Sequence, residues 1–346
     1  MAKRTTLRDI AEELNLTISG VSKALSGHPG ISATTKQRVE EAVARLNYRP
    51  NKIASSLQSG QTKIIGVIIP SADKSFFGSI VFGMENIINQ NGYSILLYQS
   101  HEMPENEIKG IDTFIQSSVD GIIATMGKQT INYQHYLEVK KRNIPLVLFD
   151  TVNENIPVPT VTIDNYKGGF IATEHLIQNG YKRIAYISGL KHIPIFNERL
   201  RGYLDALRKY DIPIEEELII YGKNTIKSGT ECMDKLLQLQ NIPDAVVAVE
   251  DFTALGAIKA LKAQKYRIPE DVGVVGFSNE GFSEHISPSL TTINQKTVEM
   301  GEEAARLLFV MGNKANPYDG EPDKIVLEPL LIVRESSLRE GEKGFF

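Results

Sequence analysis

A single cysteine, Cys232, stands among 346 residues. One thiol forms no internal disulfide and leaves the cysteine-based zinc motifs without ligands, so a disulfide-stapled scaffold and a zinc ribbon are both excluded. The six histidines show no H-E-x-x-H spacing, and no metal is expected. No apolar run approaches the ~20 residues that cross a bilayer. The opening MAKRTTLRD leads its positive charge into a polar amphipathic pattern instead of an apolar leader with a small-residue cleavage site. The expectation is therefore a chain with no export signal and no membrane contact, at a cytoplasmic address.

Catalytic signatures are missing too. "ATMGKQT" (124–130) approaches a phosphate-binding loop, but Gln129 stands where the motif needs Ser or Thr directly after the Lys. "GFSNEG" (276–281) approaches a nucleophile elbow, but Glu280 replaces the second glycine. "GLKHIP" (189–194) lacks G-x-G-x-x-G. No catalytic residue and no cofactor are expected.

What the chain does have is 42% hydrophobic and 23% charged residues, enough for two or three domains with their own cores. Its net charge of −4 is unevenly spread: residues 1–60 hold 9 Lys/Arg against 5 Asp/Glu, and the remainder 29 against 37. A basic head on an acidic body points to a polyanion as the head's partner.

Within the head, Thr6 and Asp9 suit a capping box, and Leu7, Ile10, Ala11 and Leu14 share one helical face. "NLT" supplies a turn. Thr17 caps a second short helix with Val21, Ala24 and Leu25 on one side and Ile18, Ser19, Ser22 and Lys23 toward its exposed N-terminal side. Ser32 caps a third helix with Val39, Ala42, Val43 and Leu46 in a stripe. Two helices across a tight turn, closed by a third, make a helix-turn-helix. Its polar and small aliphatic side chains suit the major groove, although a bundle used for packing has the same spacing. Gly20 is awkward, costing roughly 1 kcal/mol of helix propensity; it either admits close approach to a duplex or weakens the helix.

"NYRPNKIASSLQSG" follows. Pro50 ends the third helix, Asn51 suits a cap, and "KIASSLQ" gives about two turns before Ser59-Gly60. So short a helix forms only against a partner. With Lys52 at its start and small residues around Leu57, that partner is the minor groove, entered by an apolar wedge; the other reading is a flexible linker.

"TLRDIAEELNLTISGVSKALSG" with "LNYRPNKIASSLQSG" resembles the N-terminal region of the lac/purine repressor (LacI) family. The resemblance implies a homodimer whose two helix-turn-helix units read half-sites of a pseudo-palindromic double-stranded operator while paired hinge helices insert leucines at its centre. Carried over, base contacts fall to Ile18, Ser19 and Lys23, hinge contacts to Ala54 and Gln58, and the wedge to Leu57; Thr6, Thr17, Ser22 and Lys52 complete the DNA-facing set. Gly20 departs from the hydroxyl residue usual in the family.

From "KIIGVIIP" (63–70) onward, apolar runs alternate with amphipathic helices, the pattern of parallel sheets covered on both faces. The runs are too many for one sheet. A boundary near 160–164 divides them, and "LTTINQ" (290–295) and "KIVLEPLLIVRESS" return the chain between lobes. "NGYSILL" (91–97) and "NGYKRIAYI" (179–187) echo each other across that boundary. The expected fold is α/β: a helix-turn-helix three-helix domain (1–49), a hinge helix or linker (50–61), and a two-lobed body of doubly wound parallel sheets (62–346). That body resembles the periplasmic-binding-protein fold.

Ligands of open α/β sheets sit beyond the strands' carboxyl ends. The residues there are Phe76 and Phe77, Asp150, Arg199, Glu250 beside Asp251, Ser278 beside Asn279, and Gln295. Aromatic faces, carboxylates, a guanidinium and amides suit a polyhydroxylated ligand. Plainer roles fit as well: Asp150 and Asp251 as helix caps, Arg199 paired with Glu198 or a neighbouring acid, and the phenylalanines as core. The resemblance assigns these positions to effector-binding loops. Glu250-Asp251 stands where many sugar-binding relatives have Asn-Asp, and Ser278 where they have Asp. No extra Arg or Thr of the purine-binding kind precedes Arg199, so the expected effector is a carbohydrate or related metabolite. The resulting reading is an effector-controlled transcription regulator, with a sugar-binding protein or sugar-modifying enzyme carrying an accessory helical domain as the alternative.

Overall fold

The computed structural model describes residues 5–48 and 60–339. The hinge positions Lys52, Ala54, Leu57 and Gln58 lie outside the described residues. The chain divides into two compact units, Met1–Thr62 and Lys63–Phe346.

The first unit holds α1 (Leu7–Leu14), α2 (Ile18–Leu25) and α3 (Ala33–Arg45). Each begins at a hydroxyl. Thr6 Oγ1 accepts from the Asp9 N–H while the Asp9 carboxylate accepts from the Thr6 N–H at 2.7 Å. Thr17 accepts from the Gly20 N–H at 3.0 Å, and Ser32 from the Thr35 N–H at 3.2 Å. Such caps are worth ~1 kcal/mol each, a large share for α1 and α2, whose eight residues would not persist as helices alone. Asn15 ends α1 in the left-handed region, φ 54°, which Asn tolerates, and turns the chain into α2. Ile10, Ala11, Val21, Ala24, Val39 and Ala42 form the core, with Tyr48 packed among them.

Leu25 departs from expectation. It is 36% exposed, because the 3.6-residue period carries it onto the stripe of Ile18 and Ser22 and away from that of Val21 and Ala24. Gly20 has a local reason to be glycine: a Cβ there would stand 3.1 Å from Thr17 Oγ1, crowding the cap it serves.

The second unit contains two six-stranded sheets. Lobe 1 is built from β1 (Ile64–Ile69), β2 (Ser94–Gln99), β3 (Gly121–Ala124), β4 (Leu146–Phe149), β5 (Thr160–Ile163) and β11 (Lys324–Leu327), in the order β11-β5-β4-β3-β1-β2. Lobe 2 takes β6 (Ile184–Ser188), β7 (Ile219–Tyr221), β8 (Ala245–Ala248), β9 (Gly273–Phe277), β10 (Thr291–Asn294) and β12 (Leu330–Ile332), in the order β12-β10-β9-β8-β6-β7. All neighbours are parallel except β10 and β12; this antiparallel edge departs from the all-parallel expectation. The chain crosses between lobes after Ile163, after Asn294 and after Leu327. Strands β3, β4, β6, β8 and β9 are buried throughout, which is why they read as unbroken apolar runs.

Helices cover both faces of each sheet. In lobe 1, α4 (Ser75–Gln90) and α11 (Thr297–Gly312) pack on one face through Ile80, Met84, Met300 and Leu308. On the other, α5 (Pro104–Gln116) and α6 (Gln134–Lys141) pack through Phe114, Tyr136 and Val139. Lobe 2 is flanked by α7 (Asn165–Gln178) with α8 (Pro194–Lys209), and by α9 (Ile226–Leu236) with α10 (Asp251–Ala263).

The "NGY" echo joins β2, an edge strand of lobe 1, to β6, an interior strand of lobe 2. The strand equivalent to β6 by sheet order is β1. The echo is thus a shared local device: Gly92 (φ 75°) and Gly180 (φ 81°) release the chain from a helix into a strand.

Candidate functional site

On the first unit, Ile18, Ser19 and Lys23 of α2 are exposed, Ser22 is half-buried, and Ile18 stands 45% exposed. An exposed isoleucine beside hydroxyls, with the Lys23 ammonium in the last turn of α2, gives a face able to enter a groove and bond phosphates. Thr6 and Thr17 are exposed as well, with their hydroxyls engaged in the caps of α1 and α2.

In the second unit, a cleft cavity of about 520 Å³, counted with the solvent it opens to, is lined by Phe76, Phe77, Asp150, Arg199, Glu250, Ser278 and Gln295. The lobes supply it from equivalent strand ends. Phe76–Phe77 follow β1 and Arg199 follows β6; Lys128 follows β3 and Glu250 follows β8; Asp150 follows β4 and Ser278 follows β9. Gln295 comes from the second crossing, just beyond β10. Asp150 (φ 57°) and Ser278 (φ 127°) both hold backbone conformations that side chains rarely adopt, the strained geometry that recurs at binding sites.

Arg199 is 2% exposed, and its neighbours fix it on every side. Its Nε donates to Asn165 Oδ1 at 2.8 Å, one Nη to the Val249 carbonyl at 2.7 Å and the other to Gln295 Oε1 at 3.3 Å. Gln295 in turn donates to Ser278 Oγ at 3.1 Å. The Phe277 ring lies 3.6 Å from the guanidinium carbon, a cation–π stack. Gly169 of α7 seats the helix that carries it, since a Cβ there would come 2.1 Å from the Arg199 carbonyl oxygen. These hydrogen-bond acceptors are all neutral, so the charge is surrounded but not cancelled, and N–H groups remain for a ligand. Glu198 pairs with Arg201 at 2.6 Å; the plainer role of a Glu198–Arg199 pair is not what forms.

Asp150 is 9% exposed, and its carboxylate accepts from the Thr151 hydroxyl at 3.2 Å. Burial raises its pKa to about 6 against the opposing pull of Arg199 and Lys128. Glu250 behaves differently. Burial raises it as well, but the positive charges of Lys128, Lys74 and Arg199 outweigh this and hold it below the usual carboxylate range. Phe76 and Phe77 meet edge to face, centroids 5.0 Å apart. They belong at once to the lobe 1 core and to the cleft wall.

The sequence reading missed Lys128, Glu102, Thr125, Phe252 and Glu280, which also line the cleft. Lys128 and Glu280 lie in the two near-miss motifs that were read only for catalysis. The signal that would have found them is position, since each follows a strand end. Asp251 is not a lining residue: fully buried, it accepts from Thr292 Oγ1 (2.6 Å), Ser283 Oγ (2.8 Å) and the Glu280 N–H (2.8 Å). It thereby anchors the loop that bears Ser278 and Glu280.

Among the described residues no helix is long and apolar enough to cross a membrane. Residues 6–51 match the family model for bacterial regulatory proteins of the lacI family, and residues 62–316 that for periplasmic binding proteins and the sugar-binding domain of the LacI family. Catabolite control protein A of Priestia megaterium is 34% identical over 89% of this chain and 93% of its own. The HTH-type transcriptional repressor PurR of Mannheimia succiniciproducens is 30% identical over 96% and 98%. A solved lac repressor dimer, bound to operator and the anti-inducer ONPF, is 25% identical, covers 97% of this chain and 100% of its own, and superposes with a TM-score of 0.85. With both segments matched and near full-length relatives that are regulators and not enzymes, the chain belongs to the LacI family of bacterial transcriptional regulators.

Proposed function

We propose that the chain is a dimeric, sequence-specific transcriptional repressor whose operator affinity is set by a carbohydrate or related metabolite bound between its lobes. The observation that carries this is the convergence of Phe76, Phe77, Asp150, Arg199, Glu250, Ser278 and Gln295 on one cleft. A sugar hydroxyl both donates and accepts, so it bonds Arg199 N–H groups and the Asp150 carboxylate together, while the phenylalanine rings take the apolar face of a pyranose. Because the two lobes contribute opposite sides of the cleft, binding and closure are one event. The solved lac repressor dimer on operator DNA supports extending dimeric operator binding to this chain.

In this reading Thr6, Thr17, Ile18, Ser19, Ser22 and Lys23 face DNA from the helical head (1–49). Lys52, Ala54, Leu57 and Gln58 do so from a hinge (50–61), and the body (62–346) holds effector and dimer contacts. The protein works in the cytoplasm. Selection from random duplexes with the full chain, followed by a thermal-shift panel of monosaccharides, disaccharides and purine bases, tests the reading. Enrichment of a pseudo-palindrome, affinity that falls steeply with salt and stabilisation by a sugar are expected. Stabilisation by a purine base alone would replace the effector class. An asymmetric single half-site would overturn the dimeric reading.

A further inference from the structure

Glu107, on α5, is fully buried and is not among the cleft-lining residues. Four groups donate to its carboxylate. Oε1 accepts from the Gly127 N–H at 2.5 Å and the Thr130 hydroxyl at 2.8 Å; Oε2 accepts from the Tyr136 hydroxyl at 3.1 Å and His135 Nε2 at 3.2 Å. All four donors lie on the loop after β3 or on α6, into which it runs. A buried carboxylate is tolerable only while such bonds are kept, so the loop is tied to α5 from behind the cleft. Gly127 allows the approach: a Cβ there would stand 2.6 Å from Glu107 Oε1.

On its other side the same loop presents Lys128. The ammonium lies 3.7 Å from Glu102 of its own lobe and 3.7 Å from Glu250 of lobe 2. The Lys128 N–H donates to Glu102 at 2.8 Å, and its carbonyl accepts from His192 Nε2 of lobe 2 at 3.2 Å. Lys128 thus joins the lobes through its side chain, to Glu250 and to the Phe196 ring 5.4 Å away, and through its backbone, to His192. Elsewhere across the cleft, Ser75 of lobe 1 bonds Glu280 and accepts from the Gly281 N–H.

We infer that the loop Gly127–Thr130 is a latch between the lobes, in which Lys128 holds the cleft shut through Glu250 and His192 and Glu107 is the positioning residue that keeps the latch in place. The inference deepens the proposed effector site and rests on it for one consequence: a ligand that engages Glu250 competes with Lys128, so the latch sets the balance between the chain's own closure and ligand-driven closure. Tight docking alone does not shift such a balance; differential contact does.

The test is made without ligand, so it stands or falls apart from the effector's identity. Spin labels at Asp112→Cys on α5 and Lys227→Cys on α9, in a Cys232→Ala background checked by circular dichroism, report the distance between lobes. Labelled full-length chain is diluted into excess unlabelled chain, so that only distances within one chain are read. Lys128→Met should move the distribution to longer distances, and Lys128→Arg should restore the parent distribution. Glu107→Gln should produce the same lengthening with Lys128 still present, and adding it to Lys128→Met should lengthen nothing further. Thr130→Val, which removes one donor, should give a smaller shift in the same direction and serves if Glu107→Gln fails to fold. An unchanged distribution for Lys128→Met overturns the latch. A Glu107→Gln protein with a lowered melting temperature and the parent distance overturns the positioning role and leaves Glu107 as lobe 1 core only.

Discussion

Lobes 1 and 2 share one strand order and draw on the same strand ends, yet they hold their cleft residues in different ways. In lobe 2 the polar groups are assembled among themselves: Asn165, Arg199, Gln295 and Ser278 form one hydrogen-bonded chain stacked on Phe277. In lobe 1 the cleft wall sets two phenylalanines and Asp150, which accepts from Thr151, beside Glu102, Thr125 and Lys128. Lobe 2 presents a preorganised donor set whose ordering precedes binding, the arrangement that favours affinity. Lobe 1 presents the phenylalanine pair and, in Asp150, a carboxylate that burial disfavours. Duplicating a fold therefore did not duplicate its use.

The largest effect that would break this comparison is at Arg199. Arg199→Ala should lower affinity for the identified sugar ten- to hundredfold by calorimetry, the range expected when a charged partner of a buried ligand is lost, ~1.5–3 kcal/mol. The same substitution strands the Val249 carbonyl, Asn165 and Gln295, so the body should also lose about 1–3 kcal/mol of stability while remaining folded. Full affinity in this variant would mean that the lobe 2 network is scaffold only.

Asp150 should give the next largest effect, with a sign that depends on pH. Its carboxyl is neutral in the fold up to about pH 6, whereas in the unfolded chain it ionises near ~4. Its contribution to stability is therefore fully present below ~4 and is lost as pH rises toward 6. Asp150→Asn removes that loss and suits the left-handed backbone at φ 57°. Denaturant unfolding should find the variant more stable than the parent at pH 7.5, by up to ~3 kcal/mol, and equal to it below pH ~4, with weaker sugar binding at both. A variant less stable at pH 7.5 would show that Asp150 is held by Arg199 and Lys128 more strongly than burial opposes it.

The smallest expected effect is at the neighbouring position. Glu198 makes an exposed pair with Arg201 and none with Arg199, so Glu198→Gln should alter sugar affinity and stability by less than ~0.5 kcal/mol. A loss resembling that of Arg199→Ala would restore the pairing that the sequence alone left open.

Much of this was legible in the residues. The capping hydroxyls Thr6, Thr17 and Ser32 and the 3.6-residue stripes marked the head, and unbroken apolar runs marked the buried strands. Reading the segments that follow each strand end put Asp150, Arg199, Glu250, Ser278 and Gln295 on one cleft, because the carboxyl ends of the strands in an open α/β sheet all open to the same side. Leu25 was misplaced because an eight-residue helix is too short for periodicity to separate one stripe from the next. Lys128 was passed over because it was judged against a motif and not by its place after β3. Glu107 had no signal at all: a glutamate on an amphipathic helix reads as solvated, and only the fold brings Gly127, Thr130, His135 and Tyr136 around it. That Asp251 anchors a loop depends likewise on Thr292 and Ser283, far away in sequence.

The central claim is that a ligand in the cleft controls DNA binding by the head. Its most direct test is the affinity of the full chain for its selected operator, with and without the identified sugar, in the parent and in Arg199→Ala. The parent should change operator affinity severalfold or more when the sugar is added, while Arg199→Ala should match the parent without sugar and fail to respond to it. An Arg199→Ala protein that responds like the parent at the same sugar concentration, or a parent whose operator affinity ignores a sugar that demonstrably fills the cleft, would contradict the account.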